Sequence, residues 1–136
     1  MRKSIAAVLA AVTALSLSVA ADAKPRLAPE AKLAKMLDGR VAGEPQDCIF
    51  LPTIRSSRIV DKTAIVYDAG RTLWVNRPRS GAESLDDDDI LVTNLHSSSL
   101  CSIDIVSLHD RTGYFYSGFV GLGEFVPYRK VASAGN

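Results

Sequence analysis

Thr63-Ala-Ile-Val-Tyr67, then Asp68-Ala69-Gly70, then Thr72-Leu-Trp-Val-Asn76 is the stretch that decides the fold. Both flanks are rich in β-branched and aromatic residues, which suit a pleated, half-buried surface. Two such runs separated by a short loop with Gly read as a β-hairpin.

Working outward, the same texture recurs. Upstream, Cys48-Ile-Phe-Leu51 is a short apolar run ended by Pro52, and Arg58-Ile59-Val60 is a second, followed by an Asp61-Lys62 turn. Downstream, residues 77–89 read as a loop with Pro78, Ser80, Gly81, Ser84 and four consecutive aspartates. Ile90 to Thr93 is a short run, and Ser97-Ser98-Ser99 marks a break. Ile103 to Leu108 and Tyr114 to Phe119 flank the turn Asp110-Arg-Thr-Gly113 and make a second hairpin. Glu124 to Tyr128 is strand-like but holds Pro127. Proline cannot donate to a ladder, so this run is expected at an edge or a strand end. Gly118, Gly121 and Gly123 suit bends or bulges.

Before these strands, Pro29 suits a first helical turn and Glu30 the positive helix end. Ala31, Leu33, Ala34, Met36 and Leu37 follow at three- and four-residue spacing, and Gly39 suits a C-cap. The spacing predicts an amphipathic helix of two to three turns, too short to be stable unless docked. Gly43-Glu44-Pro45 reads as a linker. The expected fold is α+β, mainly antiparallel β: one N-terminal helix plus six or seven short strands in a curved sheet or half-open barrel.

The first residues address compartment. Arg2 and Lys3 precede an uncharged run from Ile5 to Ala20, and Ala21-Asp22-Ala23 places small residues where a signal peptidase inspects them. Residues 1–23 read as a signal peptide cleaved between Ala23 and Lys24, with cleavage after Ala21 as the second choice. The run is shorter than the ~20 apolar residues of a spanning helix. Residues 24–130 then form one exported domain, and residues 131–136 a loose tail. No membrane span is expected after cleavage, and the place of action is periplasmic or secreted.

Cleavage removes 23 of the 136 residues and leaves 113, enough for a single core with little stability in reserve. Taking Arg2, Lys3 and Asp22 from the 16 basic and 15 acidic residues leaves 14 of each, so the mature chain is neutral. A nucleic-acid binder carries a basic excess, and none is expected here.

The two cysteines, Cys48 and Cys101, lie in the mature part. Neither sits in a CxxC, nor at zinc-ligand spacing from a His. In an oxidising compartment they are expected to form one disulfide, rather than a reactive or metal-binding thiol.

No motif completes a catalytic constellation. His96 and His109 are the only imidazoles. There is no GxSxG elbow or SxxK. Gly118-x-x-Gly121-x-Gly123 has the wrong order for a dinucleotide site. Asp86 to Asp89 could attract calcium, but adjacent carboxylates cannot all reach one ion, so a solvated loop is expected. No cofactor or metal is expected. Arg71, Arg77 and Arg79 stand at the two ends of the Trp74 strand. Either Asp86–Asp89 folds back on them, the favoured outcome, or they dock an anionic envelope group through their forked donors.

Cys48-Ile49, the Arg71–Pro78 strand, Cys101–Asp104 and the closing Gly123-Glu-Phe-Val-Pro-Tyr128 together resemble small exported proteins of unknown function in sphingomonads and related proteobacteria. The likeness covers most of the mature chain. It implies the compartment and a single domain, and no activity, cofactor or catalytic residue. The expected function is a non-catalytic envelope binding or structural module, whose partner is an envelope protein or an anionic cell-wall component. The alternative is a small periplasmic hydrolase using His96 or His109.

Overall fold

The Thr63–Asn76 hairpin forms where its sequence places it. In the computed structural model, which describes residues 25–132, strand β4 (Ala64–Asp68) pairs antiparallel with β5 (Thr72–Asn76), Tyr67 opposite Trp74. The Asp68 carboxylate accepts from the Gly70 N–H at 2.7 Å, and Gly70 has φ 83°, a conformation an L side chain resists. The signal segment with its Ala23–Lys24 junction, and residues 133–136 of the tail, lie outside the described residues.

The remaining elements are helix α1 (Pro29–Met36) and strands β1 (Arg40–Ala42), β2 (Cys48–Phe50), β3 (Ser56–Val60), β6 (Asp89–Thr93), β7 (Ser99–Cys101), β8 (Ile105–Asp110), β9 (Tyr116–Gly121) and β10 (Phe125–Lys130). The strands form a five-stranded sheet β1-β10-β5-β4-β3, a three-stranded sheet β6-β8-β9 and a pair β2-β7, every pairing antiparallel. The sheets do not close into a barrel. Among the described residues, ten strands stand where six or seven were expected. β1 and β7 are three-residue strands, hidden in sequence by Gly39–Gly43 and by the serine run.

The five-stranded sheet is the middle layer. On one face Ala64, Val66, Leu73 and Val75 meet α1, whose single buried residue is Leu33, flanked by Met36 and Leu37. On the other, Ile65, Tyr67 and Phe125 join Leu100, Leu108 and Val120 of the smaller sheets. Residues 64–67 are therefore buried on both faces, which is why that run is continuously apolar rather than alternating.

Two readings shift. The second hairpin starts and ends two residues later than expected. Asp104 accepts from the Cys101 N–H at 2.7 Å, so a turn occupies Ser102–Asp104 before β8 begins. Asp110 accepts from the N–H groups of Thr112 and Gly113, and Tyr114 takes φ 56°, so the turn extends past Gly113. Pro127 lies in an interior strand, between β1 and β5, not at an edge. The pairing tolerates it because β1 ends at Ala42. The Pro127 carbonyl accepts from Gly43 at 2.7 Å on that side, so the position of the missing N–H, on the same side of the strand, faces a flank where the ladder has stopped.

Candidate functional site

Both β3 and β6 are edge strands of their sheets, and the gap between them, bordered by α1, forms an open cleft. Its volume is about 940 Å³. Met36, Ile59 and Leu91 contribute apolar surface. Five basic side chains line it, Arg26, Lys32, Lys35, Arg58 and Arg111, against three acidic ones, Asp87, Asp88 and Asp89.

The helix contributes Lys32, Lys35 and Met36, which the three- and four-residue spacing puts on one side. Lys32 donates to Asp87 at 2.7 Å. That hydrogen bond, above all, holds the Asp87 carboxyl below its ordinary value. Asp89 is buried and accepts from the Ser117 hydroxyl at 2.9 Å. Arg111 donates to the Asp88 carbonyl at 3.3 Å. Arg58 stands 3.8 Å from Asp68, whose other oxygen already caps the hairpin turn. Lys35 is exposed. Asp87 and Asp89 are thus engaged, while the Asp88 side chain is exposed and Arg58 is shared with Asp68; the basic side chains lining the cleft still outnumber the acidic ones.

A smaller recess of about 230 Å³ lies along the same two edges, sharing Ser57 and Leu91 with the main cleft. Tyr67 lines it, and the Tyr67 hydroxyl is buried without a hydrogen-bond partner. Burial pushes its phenol well above the ordinary range.

The expected fold-back of Asp86–Asp89 onto the Trp74-strand arginines does not form. Arg77 instead donates two hydrogen bonds to Glu30, at 2.8 and 3.0 Å, and the Glu30 carboxyl is lowered chiefly by them. Arg79 donates to the carbonyls of Leu122 and Ser102, both at 2.7 Å. Arg71 is exposed at the hairpin end, and Trp74 is half-buried against the larger core. Arg71 and Arg77 are six positions apart along one strand, roughly 20 Å, so they do not form a single patch. Helix α1, the β9–β10 connection and the β7–β8 turn supply their partners in place of the aspartate loop, a tertiary fact with no local signal.

The aspartate loop packs on the β3–β4 turn. Single carboxylate oxygens of Asp61, Asp86 and Asp87 lie within 4.8 Å of one another. Asp61 accepts from the Asp87 N–H at 2.8 Å, and the Lys32 ammonium supplies the positive charge. His96 is exposed between β6 and β7. His109 is half-buried on β8, its Nδ1 3.4 Å from the Tyr114 carbonyl and its ring edge-on to Tyr116. Neither lines the main cleft or the recess.

The cysteines meet as expected. Cys48 and Cys101 stand directly opposite across β2 and β7 and are bridged. Among the described residues no helix is long and apolar enough to cross a membrane.

The cleft residues escaped the sequence because they come from α1, β3, β6 and the β8–β9 turn, up to 85 positions apart between Arg26 and Arg111. The local signals were the Asp86–Asp89 run, three of whose members line the cleft, and the Lys32–Lys35–Met36 side of the helix. No family model, curated protein or solved structure matches the chain.

Proposed function

We propose that this chain is an exported, non-catalytic binding module of the bacterial envelope, acting in the periplasm or outside the cell, which holds an anionic group of a cell-wall component or envelope protein in the α1–β3–β6 cleft. The observation that carries the reading is the cleft itself. It is of ligand-binding size, and its basic side chains outnumber its acidic ones five to three. Arg and Lys on an apolar floor suit carboxylate or phosphate groups. The signal-like N-terminus and the Cys48–Cys101 bridge support export. The positions of His96 and His109, away from the cleft, favour binding over hydrolysis.

The test is retention on purified cell-wall sacculi at rising salt. Wild type is expected to bind and to be released as salt screens the charges. Lys35→Glu with Arg58→Glu is expected to lose retention while keeping its unfolding midpoint. Equal retention of both proteins at low salt refutes the assignment to the cleft.

A further inference from the structure

The strand edges that border the cleft turn unpaired backbone groups into it, and we propose that its ligand is an extended peptide that adds as a strand to the free edge of β3. This rests on the reading of the cleft as a binding site and names what it holds. In an antiparallel ladder a residue sends its N–H and C=O to one side, and successive residues alternate sides. The Val60 carbonyl accepts from the Thr63 N–H at 3.0 Å across the β3–β4 turn, and at the far end the Asp68 carbonyl accepts from the Arg55 N–H at 2.7 Å. Val60, Arg58 and Ser56 therefore face β4, and Ser57 and Ile59 face outward. Beside β8, the Asp104 carbonyl accepts from the Leu122 N–H at 3.0 Å, and the Asp110 N–H donates to the Phe115 carbonyl at 2.9 Å. Val106, Leu108 and Asp110 thus face β9, while Ser107 and His109 face Val92 and Ile90 of β6. Leu91 and Thr93 are left turned outward from β6. Ser57, Ile59 and Leu91 line the cleft, and Ser57, Leu91 and Thr93 line the adjoining recess.

Natural sheets blunt such edges with short strands, proline, bulges or a covering segment. The edge strand β1 has three residues, and the outer edge of β9 is met by Ser80, which bridges to Gly121. Strand β3 has none of these devices. It runs five residues in unbroken register without a proline, and Arg58 is its one charge. Ser56, Ser57 and Arg58 are exposed. Among the described residues no hydrogen bond reaches the outward N–H and C=O of Ser57 or Ile59.

The geometry of the edge selects the occupant. Outward groups two residues apart repeat every ~6.7 Å, and an extended backbone presents a matching N–H and C=O at that spacing. In such strand addition the main chain supplies affinity and the pockets for alternate side chains supply specificity. A strand beside β3 continues the middle sheet, so its own side chains alternate between the two faces of that sheet. Arg58 lies on the face of its neighbours Val60 and Val66, the face that α1 covers, and Lys35 and Met36 line the cleft from α1. Ile59 lies on the opposite face, toward the recess walled by Leu51, Ile54, Leu91 and Leu100. The peptide is therefore acidic where it faces α1 and apolar at the alternate positions. The five basic side chains of the cleft against three acidic ones set that sign. A free segment fits better than a second copy, because the β3 of a second copy is flanked by its own α1 and β6.

Selection from a phage-displayed random heptapeptide library on the oxidised protein tests it. Enriched sequences are expected to alternate acidic and apolar residues, and the strongest, made synthetically, is followed by fluorescence anisotropy. Methylating its backbone amides one at a time is expected to weaken binding about tenfold at every second position and little in between, the signature of a hydrogen-bonded strand. Ser57→Pro removes an outward N–H and leaves the β4 ladder intact, and is expected to weaken binding about tenfold. Near-UV circular dichroism reports whether Ser57→Pro keeps its fold; if it does not, the methylation series on wild type decides. A library that yields no binder overturns the proposal, as does methylation without alternation or undiminished binding by folded Ser57→Pro. So does a wild-type dimer in sedimentation velocity that Ser57→Pro dissolves, which would put a second copy on the edge. Retention on sacculi separates this inference from the reading beneath it. If wild type and Ser57→Pro are retained alike, Lys35→Glu with Arg58→Glu is not, and no peptide binds, the cleft holds an anionic group and the peptide is refuted.

Discussion

Removing the Cys48–Cys101 bridge is expected to cost a large share of the stability of this domain. The bridge joins residues 53 positions apart. The chain-entropy relation gives ~4 kcal/mol for a loop of that length, from the freedom denied to the unfolded chain. A domain of this size has ~5–15 kcal/mol in all. Cys48 is exposed and Cys101 half-buried, while Ile49 and Leu100 between them remain in the core. Cys48→Ala with Cys101→Ala therefore gives up little packing, and the loss it shows belongs to the loop. With a urea slope of about 2 kcal/mol per molar, the unfolding midpoint should fall by about 2 M. Wild type under reductant should fall by a similar amount, which separates the bond from the substitutions. A shift below ~0.5 M in the double variant would refute the reasoning, because it would mean that the unfolded chain is already confined without the bridge.

Asn76 is fully buried, donates to the Gly123 carbonyl at 2.6 Å and accepts from its N–H at 3.1 Å. Asn76→Ala strands both backbone groups and should lower stability by about 2–4 kcal/mol in urea unfolding. Tyr67→Phe removes a buried hydroxyl that has no partner, so it should leave the midpoint unchanged or raise it by up to ~1 kcal/mol. The same variant has a pH signature. The folded phenol titrates above the unfolded one, so its contribution is intact below the unfolded value of about 10 and is lost as pH climbs from there towards the folded value. The alkaline fall in stability should therefore be shallower in Tyr67→Phe than in wild type, as followed by urea midpoints across pH.

Local signals in this chain are carried where local chemistry determines structure. The Asp68–Gly70 turn closes the first hairpin through its own side chain, and Asp110 does the same for the second, so both were legible. Pro29 opens the helix at the expected residue. The three-residue strands were not legible, because β1 and β7 owe their conformation to partners 88 and 53 positions away, Tyr128 for Ala42 at one end and Cys48 for Cys101 at the other. The candidate site was the least legible part. Arg71, Arg77 and Arg79 drew attention by closeness in sequence, yet Glu30 and two backbone carbonyls claim Arg77 and Arg79. The cleft joins short runs, such as 57–59 and 87–91, that lie far apart in sequence. Gly81 shows the same limit. It has φ 75°, and a Cβ there would run into the Phe119 carbonyl, a close approach that no turn rule reveals.

The strand order of the middle sheet also sets when the chain can fold. The C-terminal strand β10 is inserted between β1 and β5, so the first strand has no partner until the last has been synthesised. Arg40 waits for Lys130, and Gln46 for Phe125. Each of these contacts closes a loop spanning most of the domain, and such long closures slow the search for the native arrangement. The middle sheet is therefore complete only after β10 has been made. On the exported reading proposed above, that order suits passage through a narrow translocation pore, because the sheet locks only after its last strand has arrived on the far side.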